Sequence, residues 1–501
     1  MREDWIESSL GEVCKITLGQ SPLSTDCNNQ KIGLPFFQGK AEFTSKYPIP
    51  RVWCAKPKKI ANADSILLSV RAPVGSTNVA FEKCGIGRGL AALEYDLCQD
   101  FILFYLKAIE QELDSKGTGT TFRAISGDIL RNQKIPLPPL PEQRAIVKKL
   151  ESLFGSLDAG IADLKKAQQQ LKIYRQAVLK KAFEGELTKE WRNKQNNLPG
   201  NNELLKLINN ERENYYQIQL EEWQMAISDW EKNGDSERKP VKPKLSKLLN
   251  QITKEEFIDD LFEIPTNWIW DRLENLIFEV KDGTHDTPKY QEKGIPFVTQ
   301  KNIKNDDITF DNIQFISNLD HQKFFARSNV KRNDIIMAMI GHNRGTCTIV
   351  KTDIVFSIKN VALFKFFEQI QVNKYFLYFF QFTGGLEIIL KKSKGGAQPF
   401  IGLTELRNWP IPYCSFLEQS QIVKQIESRL SVCDSIEQNI KESLEKAEAL
   451  RQSILKKAFE GNLLTAQELA ECKQAADYEP ASVLLERIKA DKIKKIDYAS
   501  I

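Results

Sequence analysis

Apolar positions repeat every seven residues in two stretches far apart in the chain. In the first, Leu150, Leu157, Leu164, Leu171 and Val178 share one heptad position, while Ile146, Leu153, Gly160, Ala167 and Tyr174 fill the second. The other stretch places Ile426, Cys433, Ile440, Ala447 and Ile454 in the first position, with Ile422, Ile436 and Leu450 in the second. Lys, Glu and Gln occupy most of what lies between. Sustained heptads of this kind predict coiled-coil helices, because a solitary exposed helix would leave the stripe in water. The small residues Gly160, Ala167 and Ala447 are expected to let another helix approach closely, so the two stretches are expected to pair with each other. Pro136-Leu-Pro-Pro-Leu-Pro141 precedes the first helix, with Pro141 suited to a first turn. Gly185 and Gly461 stand where a helix end calls for a C-cap. Antiparallel pairing would set the globular segments before each helix at opposite ends of a spacer of about 50 Å, from the ~1.5 Å rise per residue.

The two stretches are copies. Arg175-Gln-Ala-Val-Leu-Lys-Lys-Ala-Phe-Glu-Gly-Glu-Leu187 returns as Arg451-Gln-Ser-Ile-Leu-Lys-Lys-Ala-Phe-Glu-Gly-Asn-Leu463, an offset of 276. Without a gap, residues 142–187 and 418–463 share 19 identities in 46 positions. The identical heptamer Leu179–Gly185 and Leu455–Gly461 exceeds what two unrelated charged helices would show. Fainter but ordered parallels precede each copy: Asp4-Trp5-Ile6 with Asn267-Trp268-Ile269, and Gly33-Leu-Pro-Phe36 with Gly294-Ile-Pro-Phe297. Asp64-Ser-Ile-Leu-Leu-Ser69 then parallels the run from Asp334 to Ala338, and Ile135-Pro-Leu-Pro138 parallels Ile411-Pro412. Leu204-Leu205 with Ile208 matches Leu484-Leu485 with Ile488. The organisation is therefore a globular unit over 1–140, a coiled-coil helix over 141–187 and a helical linker over 188–264. A second globular unit over 265–416, a second helix over 417–463 and a helical tail over 464–501 complete it. Short β-branched runs (Ser65–Val70, Ile335–Ile340) between Gly- and Pro-rich turns, with buried helices expected at Phe101–Ile109 and Tyr375–Phe382, make the globular units α/β or α+β. Lys239-Pro-Val-Lys-Pro243 reads as an exposed linker.

Composition narrows the function. The 501 residues exceed one core and suit three or four domains. No apolar run reaches the length of a membrane span, and Met1-Arg2-Glu3-Asp4-Trp5 has no secretory apolar core, so the cytoplasm is the expected compartment. The nine cysteines include no C-x-x-C pair, and the three histidines (His285, His321, His342) form no H-E-x-x-H site. Lys116-Gly-Thr-Gly-Thr-Thr121 lacks P-loop spacing, and Gly85-Ile-Gly87-Arg-Gly89 is not a dinucleotide fingerprint. The Asn/Asp-Pro-Pro-Tyr/Phe motif of the DNA amino-methyltransferases is absent; Pro138-Pro139 and Pro410-Ile-Pro412-Tyr413 are the nearest approaches. There is no G-x-S-x-G elbow and no Asp…Glu-x-Lys cluster. No catalytic, cofactor-binding or metal-binding residues are inferred.

Basic and amide side chains cluster instead in glycine-containing turns at corresponding places in both units. The candidates for contact with DNA are Lys40, Lys58, Arg71, Arg88, Thr118, Thr120 and Arg123 in the first. In the second they are Lys301, Asn302, His342, Asn343, Arg344, Lys359, Asn360, Lys392 and Lys394. Arg and Lys can contact guanine edges or phosphates, and Asn can pair with adenine. The units carry net charges of only +2 and +4, so strong non-specific DNA affinity is not expected of this chain alone. Leu150, Leu157, Leu164, Leu171, Tyr174, Val178, Phe183, Ile426, Ile440, Ile454 and Phe459 are the candidates for pairing the helices or docking partners.

Two diverged globular units alternating with two near-identical helices resemble the specificity subunit of type I restriction–modification systems. The resemblance is carried by Pro138-Pro139-Leu140-Pro141-Glu142-Gln143-x-x-Ile146-Val147 and by the paired Leu-Lys-Lys-Ala-Phe-Glu-Gly segments. The Trp-x-x-x-x-Leu openings (Trp5, Leu10; Trp268, Leu273) and Thr188-Lys-Glu-Trp191-Arg192 add to it. The second copy departs from the pattern with Ser415-Phe-Leu417 before Glu418. The resemblance implies an α+β chain with an internal pseudo-twofold, whose globular units are target recognition domains each reading half of a bipartite site in double-stranded DNA. It implies that the helices set the gap and dock two methyltransferase subunits, with a separate restriction and translocase subunit. S-adenosylmethionine, ATP and magnesium would then sit on those partners, with no cofactor in this chain. A related restriction system with a combined methyltransferase–nuclease partner, or a coiled-coil scaffold without a DNA role, would share many of these features.

Overall fold

The computed structural model describes residues 2–118, 123–232, 239–245, 247–257, 260–396 and 398–499. They form two compact units, Met1–Lys166 with Asn439–Ile501, and Ala167–Gln438. Two 44-residue helices, Leu140–Phe183 and Phe416–Phe459, each run from one unit into the other. Both carry the repeated Glu-Gln pair in the first turn, and both are followed by a left-handed glycine, Gly185 (φ +74°) and Gly461 (φ +83°). The second helix needs no proline cluster, because the Ser415 hydroxyl accepts a bond from the Glu418 amide at 3.3 Å and caps its first turn.

The globular part of the first unit opens and closes with one strand pair, Ile6–Ser9 antiparallel to Lys134–Leu137. Between them lies a four-stranded sheet in the order Lys15–Leu18, Leu90–Glu94, Ile66–Ser69, Thr77–Val79. A second sheet of five strands runs Cys27–Asn28, Val52–Cys54, Leu34–Phe37, Cys84–Ile86, Ile60–Ala61. Alternate residues of the central strands face opposite cores. Ile66, Leu68, Ala91 and Leu93 pack toward the helix Gln99–Ala108, whereas Leu67, Leu90 and Ala92 pack toward the smaller sheet with Phe37 and Ile86. A strand covered on both faces has no polar side to show, which is why Ile66, Leu67 and Leu68 are apolar in succession.

The second unit repeats this arrangement. Ile269–Arg272 pairs with Pro410–Tyr413, and the sheet order is Glu279–Asp282, Val361–Lys365, Ile335–Ala338, Cys347–Ile349. A three-stranded sheet, Gln314–Ile316, Ile295–Thr299, Ser357–Lys359, takes the place of the five-stranded one. Ile335 and Met337 face an aromatic core around the helix Asn373–Gln381, and Ile336 and Ala338 face the smaller sheet. The α+β class and the duplication expected from the sequence are both present.

The duplication reaches the segments after the long helices. The helix Asn201–Lys232 buries Leu204 and Ile208 in the core of the second unit, and Ala481–Ala499 buries Leu484, Leu485 and Ile488 in that of the first. Eight residues beyond each leading leucine, a cation reaches the carbonyl end of a four-residue helix. Arg212 donates to the carbonyls of Glu274, Asn275 and Ile277 at 2.8–3.2 Å. Lys492 donates to those of Gly11 and Cys14 at 2.6 and 2.7 Å. The 188–264 linker is helical only in part: after Lys232 its described residues carry a single short turn, Lys254–Glu256.

Within each unit, half of one long helix lies antiparallel to half of the other. In the first, the Arg451 guanidinium pairs with Asp158 and lies 4.8 Å from the Phe154 ring centroid. In the second, the homologous Arg175 bonds Asp434 at 2.6 Å and Glu437 at 2.9 Å. Gly160 does not mark a close approach: a Cβ there would meet nothing within 4 Å.

Candidate nucleic-acid interface

In the first unit the backbone gathers the candidate basic residues at one end of the two sheets. Arg71, just past the strand Ile66–Ser69, bridges Ala124, which in turn closes a hairpin with Thr118. The Ala72 amide donates to the Arg123 carbonyl and the Val70 amide to that of Gly89, both at 2.9 Å. Arg88 therefore sits beside Arg71, although 17 residues separate them in the chain. Gly89 is a close approach of backbones, since a Cβ there would lie 2.2 Å from the Gln38 carbonyl oxygen. That contact brings the turn bearing Lys40 to the same corner. The Ile86 amide donates to the Lys59 carbonyl, which sets Lys58 at the level of Gly87. Lys40, Lys58, Arg71, Arg88, Thr118 and Arg123 are all exposed. Arg123 pairs loosely with Asp114 at 3.5 Å. Arg71 and Arg88 have no ion-pair partner among the described residues. Thr120 lies outside the described residues.

The second unit uses the same corner with different side chains. Ile340 stands in the register position of Arg71 and bridges Phe400, which closes a hairpin with Lys394 just as Ala124 does with Thr118. The turn from Gly341 to Gly345 holds His342 and Asn343 in solvent. Arg344 is held across it, Nε donating to Ser393 Oγ at 3.1 Å and Nη1 to the Gly341 carbonyl at 3.3 Å. Lys359 and Asn360 occupy the corner that Arg88 and Gly89 take in the first unit. Asn360 is left-handed (φ +54°), its amide donates to the Thr284 carbonyl, and its Oδ1 lies 2.8 Å from His285 Nδ1. His285 Nε2 reaches Asp282, which Arg327 also binds. Residue types and spacing gave no sign of the Asp282–His285–Arg327 group, because 45 residues separate Asp282 from Arg327 and packing of the helix Asn318–Ser328 on the strand Glu279–Asp282 joins them. Lys359 reaches the Thr287 hydroxyl, and Lys301 is exposed next to Gln300, whose amide lies beside Gly341.

Three candidates are committed elsewhere. Asn302 is buried, its Oδ1 accepting from the Thr299 amide and its Nδ2 donating to the Thr309 carbonyl, so it fixes a turn. Lys392 lies over the Phe257 ring at 5.3 Å, away from the hairpin end. Lys394 is ion-paired with Glu405 at 2.6 Å.

The helix candidates divide in the same way. Leu150, Phe183 and Ile426 are buried in the domain cores, Phe183 within 5.3 Å of the rings of Tyr375 and Phe379, and Val178 is buried as well. Phe459 packs against Phe101 and Tyr105. The ends of the heptad stripe thus fasten the helices to the globular domains. Ile440 is buried, while Leu157, Leu164 and Ile454 are half-buried. Farther along, Leu171, Tyr174, Val432, Cys433 and Ile436 line a groove of about 710 Å³ with Gln425, Ser428 and Arg429. Tyr174, Val432 and Ile436 remain 49, 58 and 42% exposed there.

Among the described residues, no three His, Cys, Asp or Glu side chains gather as metal ligands, and no helix is long and apolar enough to cross a membrane. Two homologous sheet ends presenting different polar side chains, each tied to long paired helices, define a duplicated recognition protein. The family model for the type I restriction modification DNA specificity domain matches residues 2–168 and 273–446, and the chain belongs to that family. It is 26% identical to the type I restriction enzyme EcoBI specificity subunit of Escherichia coli, over 98% of this chain and 93% of that one. Over 30% of its length it is 44% identical to the putative type I restriction enzyme MjaX specificity subunit of Methanocaldococcus jannaschii, a match spanning 37% of that relative. Among solved structures, the HsdS subunit from Thermoanaerobacter tengcongensis is 46% identical over 37% of this chain and 46% of that one, with a TM-score of 0.32.

Proposed function

We propose that this chain is the sequence-reading, non-catalytic subunit of a cytoplasmic type I restriction–modification complex, each globular domain reading one half of a bipartite site in duplex DNA. The reading rests on one observation: the same sheet end in both domains presents polar side chains, Arg71 and Arg88 in the first and His342, Asn343 and Lys359 in the second, and the two sets differ. Arg71 and Arg88 are the reading or phosphate-gripping groups of the first half-site. His342, Asn343 and Arg344 are those of the second, with Lys359 and Asn360 at its edge. Arginine forks suit guanine and asparagine suits adenine.

The long helices hold the two readers at one spacing, as protein symmetry sets half-site separation in dimeric DNA binders. The groove around Tyr174, Val432 and Ile436 receives a methyltransferase subunit, and the homologous face at Leu450 receives the second. Methylation with S-adenosylmethionine, and ATP- and magnesium-dependent translocation and cutting, belong to those partners and to the restriction subunit. Adenine-methylation sequencing of host DNA with the gene intact and deleted tests this directly. Loss of one bipartite methylated motif on deletion is the expected result, and an unchanged methylome in a host with an active partner methyltransferase overturns the proposal.

A further inference from the structure

In the smaller sheet of the first domain, Cys27 and Cys54 are direct cross-strand partners. The Ala55 amide donates to the Asp26 carbonyl at 2.9 Å, one residue beyond the pair on one strand and one before it on the other. In an antiparallel ladder that bond pattern makes Cys27 and Cys54 a non-hydrogen-bonded pair, whose Cα atoms lie about 4.5 Å apart with side chains on one face. Disulfides accept Cα separations of about 4.4–6.8 Å, so this pair can be bridged without moving backbone. Cys27 is partly exposed and sits on the edge strand, within reach of a small reagent, while Cys54 is buried behind it. The other domain has no such pair: Ile316 stands in the register position of Cys54, opposite the homologous strand.

We propose that Cys27 and Cys54 form a reversible thiol–disulfide site that takes small-molecule disulfides of the glutathione class as its oxidant. The Cys27 thiolate attacks one sulfur of the oxidised reagent, giving a mixed disulfide and releasing one reagent thiol. The Cys54 thiolate then attacks the Cys27 sulfur and displaces the second. Two protein thiols are oxidised to one disulfide, and one reagent disulfide is reduced to two thiols. Burial, the facing thiol and Asp26 all raise the Cys27 thiol above its ordinary range, so exchange is slow and the site reports a sustained redox poise. Closing the bond fixes the edge strand Cys27–Asn28 to its neighbour and leaves the other domain untouched.

The test equilibrates the full chain with oxidised glutathione, blocks remaining thiols with N-ethylmaleimide in denaturant and maps unreduced tryptic peptides by mass spectrometry. The expected result is loss of two of the nine thiols, a Cys27–Cys54 linked peptide, and reversal by dithiothreitol. Cys27→Ser removes the linkage, and Cys54→Ser leaves at most a glutathione adduct on Cys27. The linkage is read on the unaltered chain, so a variant that fails to fold does not confuse it. Nine alkylatable thiols after oxidation, a bare mixed disulfide at Cys27, or bridges among other cysteines would each overturn the proposal.

Discussion

Glu418 has no solvent exposure, yet it accepts hydrogen bonds from Arg192 at 2.6 Å, Thr188 at 2.9 Å and the Trp268 indole at 2.9 Å. Removing it strands a nearly buried guanidinium and an indole N–H. Glu418→Ala is therefore expected to cost about 3–5 kcal/mol in urea unfolding of the second unit. Gln419 beside it bonds the Cys414 carbonyl, as Gln143 bonds that of Pro138. The Glu-Gln pairs were legible as a repeated motif, but their burial was not, since charged residues near a helix start usually face water. Glu468 shows a different electrostatic role. Bonds from Lys149 and from the Thr465 amide and hydroxyl lower its carboxyl to about 2. A folded value below the unfolded one gives stability that is complete above the ordinary glutamate range and is lost as pH falls toward about 2. Acid titration of Glu468→Gln between those limits should show a flatter stability profile than the parent; an identical slope would refute the assignment.

Helices and strands were the most legible scale, because heptads and two-sided apolar strands leave strong periodic signals. What the pattern could not give was which helix face meets which neighbour. The heptad stripe marks Leu150 as equivalent to Leu164 and Leu171, but the first ends in a domain core and the other two in the helix pair. The corner that gathers Arg71, Arg88 and Thr118 depends on bridges between segments far apart in sequence, which no local signal encodes. The repeated tail leucines were faintly visible and prove structural. Leu484→Ala should destabilise the first unit by about 2–5 kcal/mol, and Leu204→Ala the second by a similar amount, measured by denaturation. The exposed ion pair of Arg175 with Asp434 should couple by less than about 1 kcal/mol in a double-mutant cycle.

At the scale of the whole molecule, the two domains divide one task. Arg71→Ala should relax or weaken recognition in one half-site by about 1–3 kcal/mol, read from methylated motifs or binding to mismatched duplexes. Loss confined to one half means base reading, whereas uniform weakening across sequences means phosphate contact. Val432→Glu with Ile436→Glu should abolish co-purification of a methyltransferase subunit while leaving helical content unchanged by circular dichroism.

The first unit is assembled from two stretches of chain separated by the whole of the second. Synthesis therefore inverts the order in which the units close. At roughly 5–20 residues per second, about 14 to 55 s pass between emergence of Lys166 and of Asn439. Throughout that interval the apolar faces that await Leu455, Leu484 and Ile488 stay open, and by its end the contiguous second unit has all its parts. Of the two units, the one whose chain begins earlier is the last to mature, and its nascent form keeps apolar surface open the longer.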